Sequence, residues 1–363
     1  MIEDRLGSMR RIAEIRYRPR RRTAWHRLRW RLRRLGIYWT NLVDVVGGVG
    51  RDLRPPPEQG TLVRLSPPAS RRWCLYAAYS PTSCVSDMVL AQLRAYREAG
   101  FAVVFVSMSN AVSDADRDRL ASVCCGLIHR RSFGRDFGAW AHATRLLGAD
   151  LADAQSLLLT NDSQLGPIVP LAPWIDACTA RDGLFGLTES LGGGSHLQSY
   201  FLLANGVRAV ADVVAYLTHV RLTHSKWLMV QRGEVAFSRA MREKGHYTAA
   251  VLDHETIENA LLDHPELLAE LSVLEPALLE GLRPAQPLRN RYLLRSRLFM
   301  LPLNPCHQLN SVLLRHFKFP FIKVDLVTKN PGMVPSAPDW RYFIGPDSPV
   351  TEAMIDDHLA TLA

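Results

Sequence analysis

No apolar run in this chain reaches the ~18–20 residues needed to span a bilayer. The nearest candidate, GIYWTNLVDVVGGVG at residues 36–50, is too short and carries Asp44. The N-terminus has a basic run but no clean apolar segment with a small-residue cleavage site behind it, so no secretory signal is expected. The six cysteines, Cys74, Cys84, Cys124, Cys125, Cys178 and Cys306, include no CxxC pair. Adjacent Cys124 and Cys125 suit neither a zinc knuckle nor a routine bridge, so all six read as reduced, mostly buried thiols of a cytoplasmic protein. No internal repeat is visible.

What is present is a soluble composition with one lopsided feature. The 363 residues, 47% apolar, can bury one large or two moderate cores. The net charge of +9 is not evenly spread: residues 10–34 hold twelve arginines and a single acid, Glu14, a net +11 that leaves −2 for the rest. A uniformly basic nucleic-acid-binding domain does not have this distribution. Trp25, Leu28, Trp30, Leu32, Leu35, Ile37, Tyr38 and Trp39 interleave with these arginines, and much of Thr23–Val43 reads as helix. Residues 10–39 fit an anionic membrane surface on the cytoplasmic face best. Packing on the protein's own domain is second and nucleic acid third.

The chain divides into a basic aromatic arm (1–54), a linker (55–70) opening on three prolines, a main domain (71–335) and a tail (336–363). Within the main domain, Arg72–Tyr79 reads as a strand, Asp87–Glu98 as an amphipathic helix stopped by Gly100, and Phe101–Ser107 as a buried strand. That βαβ unit predicts an α/β fold with a mostly parallel sheet flanked by helices. Further helices are expected at Asp114–Val123, Ala139–Leu147, Leu171–Thr179 and Val207–His219. Strands are expected at Gly126–His129, Leu157–Thr160, Gly183–Thr188 and Ser199–Leu203. Five prolines between Pro302 and Pro335 predict a loop-rich C-terminal region of short elements.

Two polar clusters stand out. The apolar run Leu157–Leu159 ends in Asn161-Asp162-Ser163, a carboxylate released at the carboxyl end of a strand, where open α/β sheets bind ligands. Upstream lies Gly134-Arg135-Asp136-Phe137-Gly138-Ala139-Trp140. Together they could hold a metal–diphosphate group and a sugar. The bland alternatives are a turn cap for Asp162 and an Arg135–Asp136 ion pair that fixes a helix start.

Seven ordered blocks carry a resemblance: GRDFGAW (134–140), LLLTNDSQLGPI (157–168), FGLTES (185–190), HLQSYFLL (196–203), GEVAFSRAMREKGH (233–246), NPCHQLNSVLL (304–314) and FPFIKVDLVTKNP (319–331). The chain resembles the rhamnan synthesis protein F family over roughly residues 72–335, with the basic arm outside the match. The resemblance implies a GT-A-like glycosyltransferase fold, with a nucleotide-sugar half (71–170) and an acceptor half (171–335). It implies an enzyme of bacterial rhamnan, O-antigen or other cell-surface polysaccharide synthesis, peripheral on the inner face of the cytoplasmic membrane. Its donor would be dTDP-rhamnose, GDP-rhamnose or another nucleotide sugar, and its acceptor a lipid-linked glycan. Activated L-rhamnose is β-linked and rhamnans are mostly α-linked, so transfer would invert the anomeric centre. The alternative is a catalytically inactive GT-A-like glycan-binding or scaffold protein.

Residue by residue, Asp162 takes the place of the family's metal-binding acid, the ligand of Mg²⁺ or Mn²⁺. Asn161 and Ser163 are then sugar contacts or supports for it. One carboxylate stands where DxD motifs have two, which weakens a hard-metal site. Arg135 is the diphosphate partner and Asp136 the donor-sugar ligand. Glu234 is the general base, with Gly233 supplying backbone freedom; its alternative is an acid favourably near a helix N-terminus. His196, Gln198 and Ser199 lie where a sugar could be contacted. Late in the chain, His307 and Lys323 could return a cation to the diphosphate.

Overall fold

A computed structural model describes residues 39–53, 60–264, 267, 279–283, 285–300, 303–330, 334 and 337–362. Residues 10–38 of the basic arm lie outside this set.

The strands in chain order are β1 (Leu62–Arg64), β2 (Arg72–Ala78), β3 (Ala102–Ser107), β4 (Gly126–His129), β5 (Ser156–Asn161), β6 (Gln164–Leu165), β7 (Gly183–Ser190), β8 (His196–Leu197), β9 (Phe201–Asn205), β10 (Thr248–Leu252) and β11 (Ile322–Lys323). Nine form one sheet, ordered β1-β4-β3-β2-β5-β9-β7-β10 with β8 paired to β7, and β6 pairs with β11 as a separate ribbon. Strands β2 to β5 are mutually parallel, and β7 is parallel to β10. Only β1, β8 and β9 pair antiparallel within the sheet. Because β9 opposes both β5 and β7, those two strands run the same way. The ends of β2, β5, β7 and β10 therefore emerge at one edge. The expected α/β architecture, mostly parallel and flanked by helices, is what forms. The edge strand β1 falls within the stretch read from sequence as a linker.

The helices described up to residue 263 are α1 (residues 39–52), α2 (Asp87–Glu98), α3 (Asp114–Ala121), α4 (Arg135–Leu147), α5 (Ala172–Thr179), α6 (Val207–His219), α7 (Lys226–Met229), α8 (Ala236–Glu243) and α9 (His254–Asp263). Helix α2 begins where the Ser86 hydroxyl accepts from Val89 N–H, which satisfies one of the free donors of its first turn. Strands β2, β3 and β5 are apolar almost throughout because helices cover both faces. Their residues alternate between two cores. Cys74, Tyr76, Phe105 and Leu158 pack with α2 on one side, whereas Trp73, Leu75, Leu157 and Leu159 pack with α4 and α6 on the other. Leu157, Leu158 and Leu159 are each at most 1% exposed.

Helix α4 takes in Arg135 and Asp136, four residues before the helix expected from sequence. Gly134, in the left-handed region at φ 74°, serves as its N-cap. The C-terminal third, expected to be loop-rich with short elements, is largely helical and includes a 14-residue helix, Pro287–Met300, alongside shorter helices. Pro305, for instance, opens Pro305–Gln308 behind an Asn304 cap.

Candidate active site

The Asn161-Asp162-Ser163 turn closes on itself at the end of β5. The Asn161 amide nitrogen donates to Asp136 Oδ2 at 2.8 Å, and its oxygen accepts from the Ser163 backbone N–H at 3.1 Å and hydroxyl at 2.6 Å. The two clusters picked out from sequence are thus physically joined. Asp162 Oδ2 accepts from Tyr79 N–H at 2.6 Å, and Asp162 N–H donates to Ala77 O at 3.2 Å, which ties the turn to the end of β2. Arg135 is exposed and sits in the left-handed region at φ 53°, rare for a residue with a side chain.

Burial pushes the Asp162 carboxyl up to about 7, with the Asp136 charge adding to it and Tyr79 N–H opposing. Burial pushes Asp136 up to about 6, with Glu234 adding and Arg135, Asn161 and Lys323 opposing. Glu234 goes the other way. Burial would raise it, but hydrogen bonds from His196 and Ser199 and the charges of His196 and Lys323 hold it below its ordinary value. Three neighbouring carboxylates are therefore split, one firmly ionised and two inclined to keep protons. That split is how acid–base sites divide their roles.

Glu234 is not a residue just before a helix. It lies in a π-helical turn, Val230–Val235, between α7 and α8, a feature frequent at functional sites. Gly233 is also not there for backbone freedom: an added Cβ would meet the Phe137 ring at 2.6 Å. Glu234 Oε1 accepts from Ser199 Oγ at 2.7 Å, and Oε2 faces His196 Nε2 at 3.3 Å. The other ring nitrogen, Nδ1, lies 2.7 Å from Gly194 O. A carbonyl only accepts, so Nδ1 is the donor in that contact.

Lys323 arrives through the β6–β11 ribbon. It pairs with Gln164, one residue past Ser163, and Val324 N–H donates to Ser163 O at 3.0 Å. Its charge acts on both Asp136 and Glu234. His307 is different: burial, helped by Lys323, lowers its imidazole to about 4. His307 is therefore neutral at pH 7 and brings no charge to the site. Gln198 is occupied by the body of the protein, accepting from Thr188 Oγ1 at 2.6 Å and donating to Asn304 Oδ1 at 3.2 Å.

Beside this constellation a small cleft opens at the ends of β2 and β3, with Tyr79, Ser80, Ser83, Ser107, Asp162 and His358 in its lining. Sequence reasoning did not single out the cleft serines, His358 or Glu189. Glu189, at the end of β7, is buried and pushed up to about 7 by burial, with Asp253 and Glu258 adding to the shift. The one available signal was FGLTES, a strand ending in an acid just as LLLTND does. Among the described residues no group of three His, Cys, Asp or Glu side chains is placed to hold a metal.

A mostly parallel α/β sheet with these groups gathered at its carboxyl edge is a GT-A-like architecture. Residues 103–276 match the family model described as rhamnan synthesis protein F, the family the sequence blocks resemble. The matched span carries Arg135, Asp136, the Asn161–Ser163 turn, His196, Gln198 and Glu234, and ends before His307 and Lys323. The chain is also 26% identical over 239 residues to an uncharacterized protein, y4gN, of Sinorhizobium fredii; the alignment covers 63% of this chain and 62% of that relative.

Proposed function

We propose that this protein is an inverting glycosyltransferase that moves rhamnose from a nucleotide-activated donor to a lipid-linked glycan. The observation that carries the reading is the convergence of Asp136, Asp162, Glu234 and Lys323 at one sheet edge. In this reading the nucleoside lies over the ends of β2 and β3, and the diphosphate lies between Asp162, Arg135 and Lys323. Asp136, braced by Asn161, faces the donor sugar. The acceptor hydroxyl gives its proton to Glu234 as its oxygen attacks C1 from the opposite face. The bond from C1 to the diphosphate oxygen breaks, and the leaving group departs with the electron pair against Arg135 and Lys323.

A divalent cation fits on limited terms. Asp162 Oδ2 holds Tyr79 N–H, so the chain offers one carboxylate and the donor phosphates would supply the rest, a mode usual for Mg²⁺. When bound, the ion would neutralise the departing diphosphate.

Purified protein assayed across dTDP-rhamnose, GDP-rhamnose and other nucleotide sugars, with Mg²⁺, Mn²⁺ or chelator, tests this. The expected outcome is turnover of a rhamnose donor, with Glu234→Gln slowing kcat by ~10²–10⁴-fold at unchanged donor affinity. Turnover of a different donor would keep the chemistry and discard the sugar. Failure to bind any nucleotide sugar would overturn the reading in favour of a scaffold.

A further inference from the structure

Helix α1 is amphipathic and faces the unexpected way. Asp44, Gly48 and Asp52, spaced four apart on one side, point at the protein. Asp44 accepts from Ser225 Oγ at 2.6 Å and Trp227 N–H at 2.9 Å, and Asp52 accepts from His224 N–H at 2.8 Å and His224 Nδ1 at 2.9 Å. Gly48 lies so close that an added Cβ would sit 2.6 Å from Ser225 Cβ. The opposite side carries Trp39, Leu42, Val43, Val46 and Val49, followed by Leu53. These six are between 47% and 80% exposed. A helix on a globular body ordinarily buries its apolar stripe and shows its carboxylates; here the carboxylates anchor and the stripe is left outward. Trp227, whose backbone N–H holds Asp44, is itself 39% exposed.

The stripe follows directly on the segment with net +11 over residues 10–34. An apolar face next to a dense run of arginine and tryptophan matches the interior boundary and the headgroups of an anionic bilayer in that order. A second copy of the chain would bring two +11 segments together, and a nucleic acid would leave the apolar face uncovered. We propose that α1 is a membrane-docking element. Its outward face enters the headgroup boundary of an anionic leaflet, while Asp44 and Asp52 fix the angle at which the body sits on that surface. The docking stands independently of the catalytic reading. If both hold, the anchor at residues 224–227 joins the membrane face to the element that leads into Glu234.

The test is co-sedimentation of the full chain with phosphatidylcholine vesicles containing ~30% phosphatidylglycerol, at ~0.15 M salt, comparing wild type with V43E/V46E. Both positions are exposed, so thermal unfolding of the variant should coincide with wild type, and this is measured alongside. The expected result is at least a ~tenfold fall in partitioning for the variant, with the arginine run intact. Equal partitioning of variant and wild type would overturn the proposal, because the basic run alone would then account for binding. Wild type that stays with the supernatant would overturn it too. So would a wild-type dimer that V43E/V46E dissociates, which would assign the face to a second copy.

Discussion

Asn161 is 2% exposed and has both ends of its amide in use, one on Asp136 and the other on Ser163. It organises the turn and leaves Asp162 as the group that faces outward. That arrangement costs stability. Asp162 keeps its proton up to about 7 in the folded chain, against an ordinary value of 3.8. The folded state therefore binds a proton the unfolded state releases, and the penalty is fully present above pH ~7 and vanishes below pH ~4. Asp162→Asn should remove it. Urea unfolding in the presence of chelator should show the variant more stable at pH 8 by something on the order of 2 kcal/mol. The gain should shrink towards pH 5 even as turnover is lost. A variant less stable than wild type at pH 8 would mean the carboxylate is comfortably ionised in its turn.

Helix α4 shows how tightly an element can be specified by one small residue. A Cβ on Gly138 would lie 1.9 Å from Phe133 O, inside the turn that sets Arg135 and Asp136. Backbone must move to admit it, so Gly138→Ala should cost about 3 kcal/mol or more and abolish activity through displacement of Asp136. Thermal unfolding and donor binding of the variant check both parts. The GRDFGAW block was legible as a motif because this geometry admits few residues. The strands β2, β3 and β5 were legible because parallel strands covered on both faces read as continuous apolar runs. Other elements left little trace. The β6–β11 pairing is two residues long on each side and carries no period, and the reversed direction of β9 depends on its neighbours. The π-helical turn at Glu234 looks like an ordinary helix in sequence. The same division runs through the site. Asp136, Asp162 and Glu234 sit in local motifs, whereas His358 reaches the cleft from a distant helix and its Nδ1 meets Ser86 Oγ at 2.8 Å. No local pattern announces such a contact.

Across the whole molecule, two sets of buried groups titrate against each other. Burial holds protons on Asp136, Asp162 and Glu189 up to about 6, about 7 and about 7. Burial also keeps His254, His307 and His358 neutral until about 4. As pH falls from ~6.5 to ~4.5, the folded chain holds protons on three carboxyls that the unfolded chain lacks, and lacks protons on three imidazoles that the unfolded chain gains. For these six groups the differences nearly cancel across that interval, and the raised Glu258 carboxyl adds a modest gain in stability on acidification. Below it, carboxylates held down in the fold lose their advantage as they protonate. These include Glu234, and also Asp44 and Asp52, where hydrogen bonds from residues 223–227 outweigh partial burial. His358→Gln should break the balance while still offering Ser86 a partner. With one imidazole removed, the unfolded variant binds one proton fewer. Its stability should then rise relative to wild type by up to about 1.4 kcal/mol per pH unit on acidification through this interval. Parallel stability curves for variant and wild type between pH 6.5 and 4.5 would show instead that the His358 ring takes up its proton inside the fold.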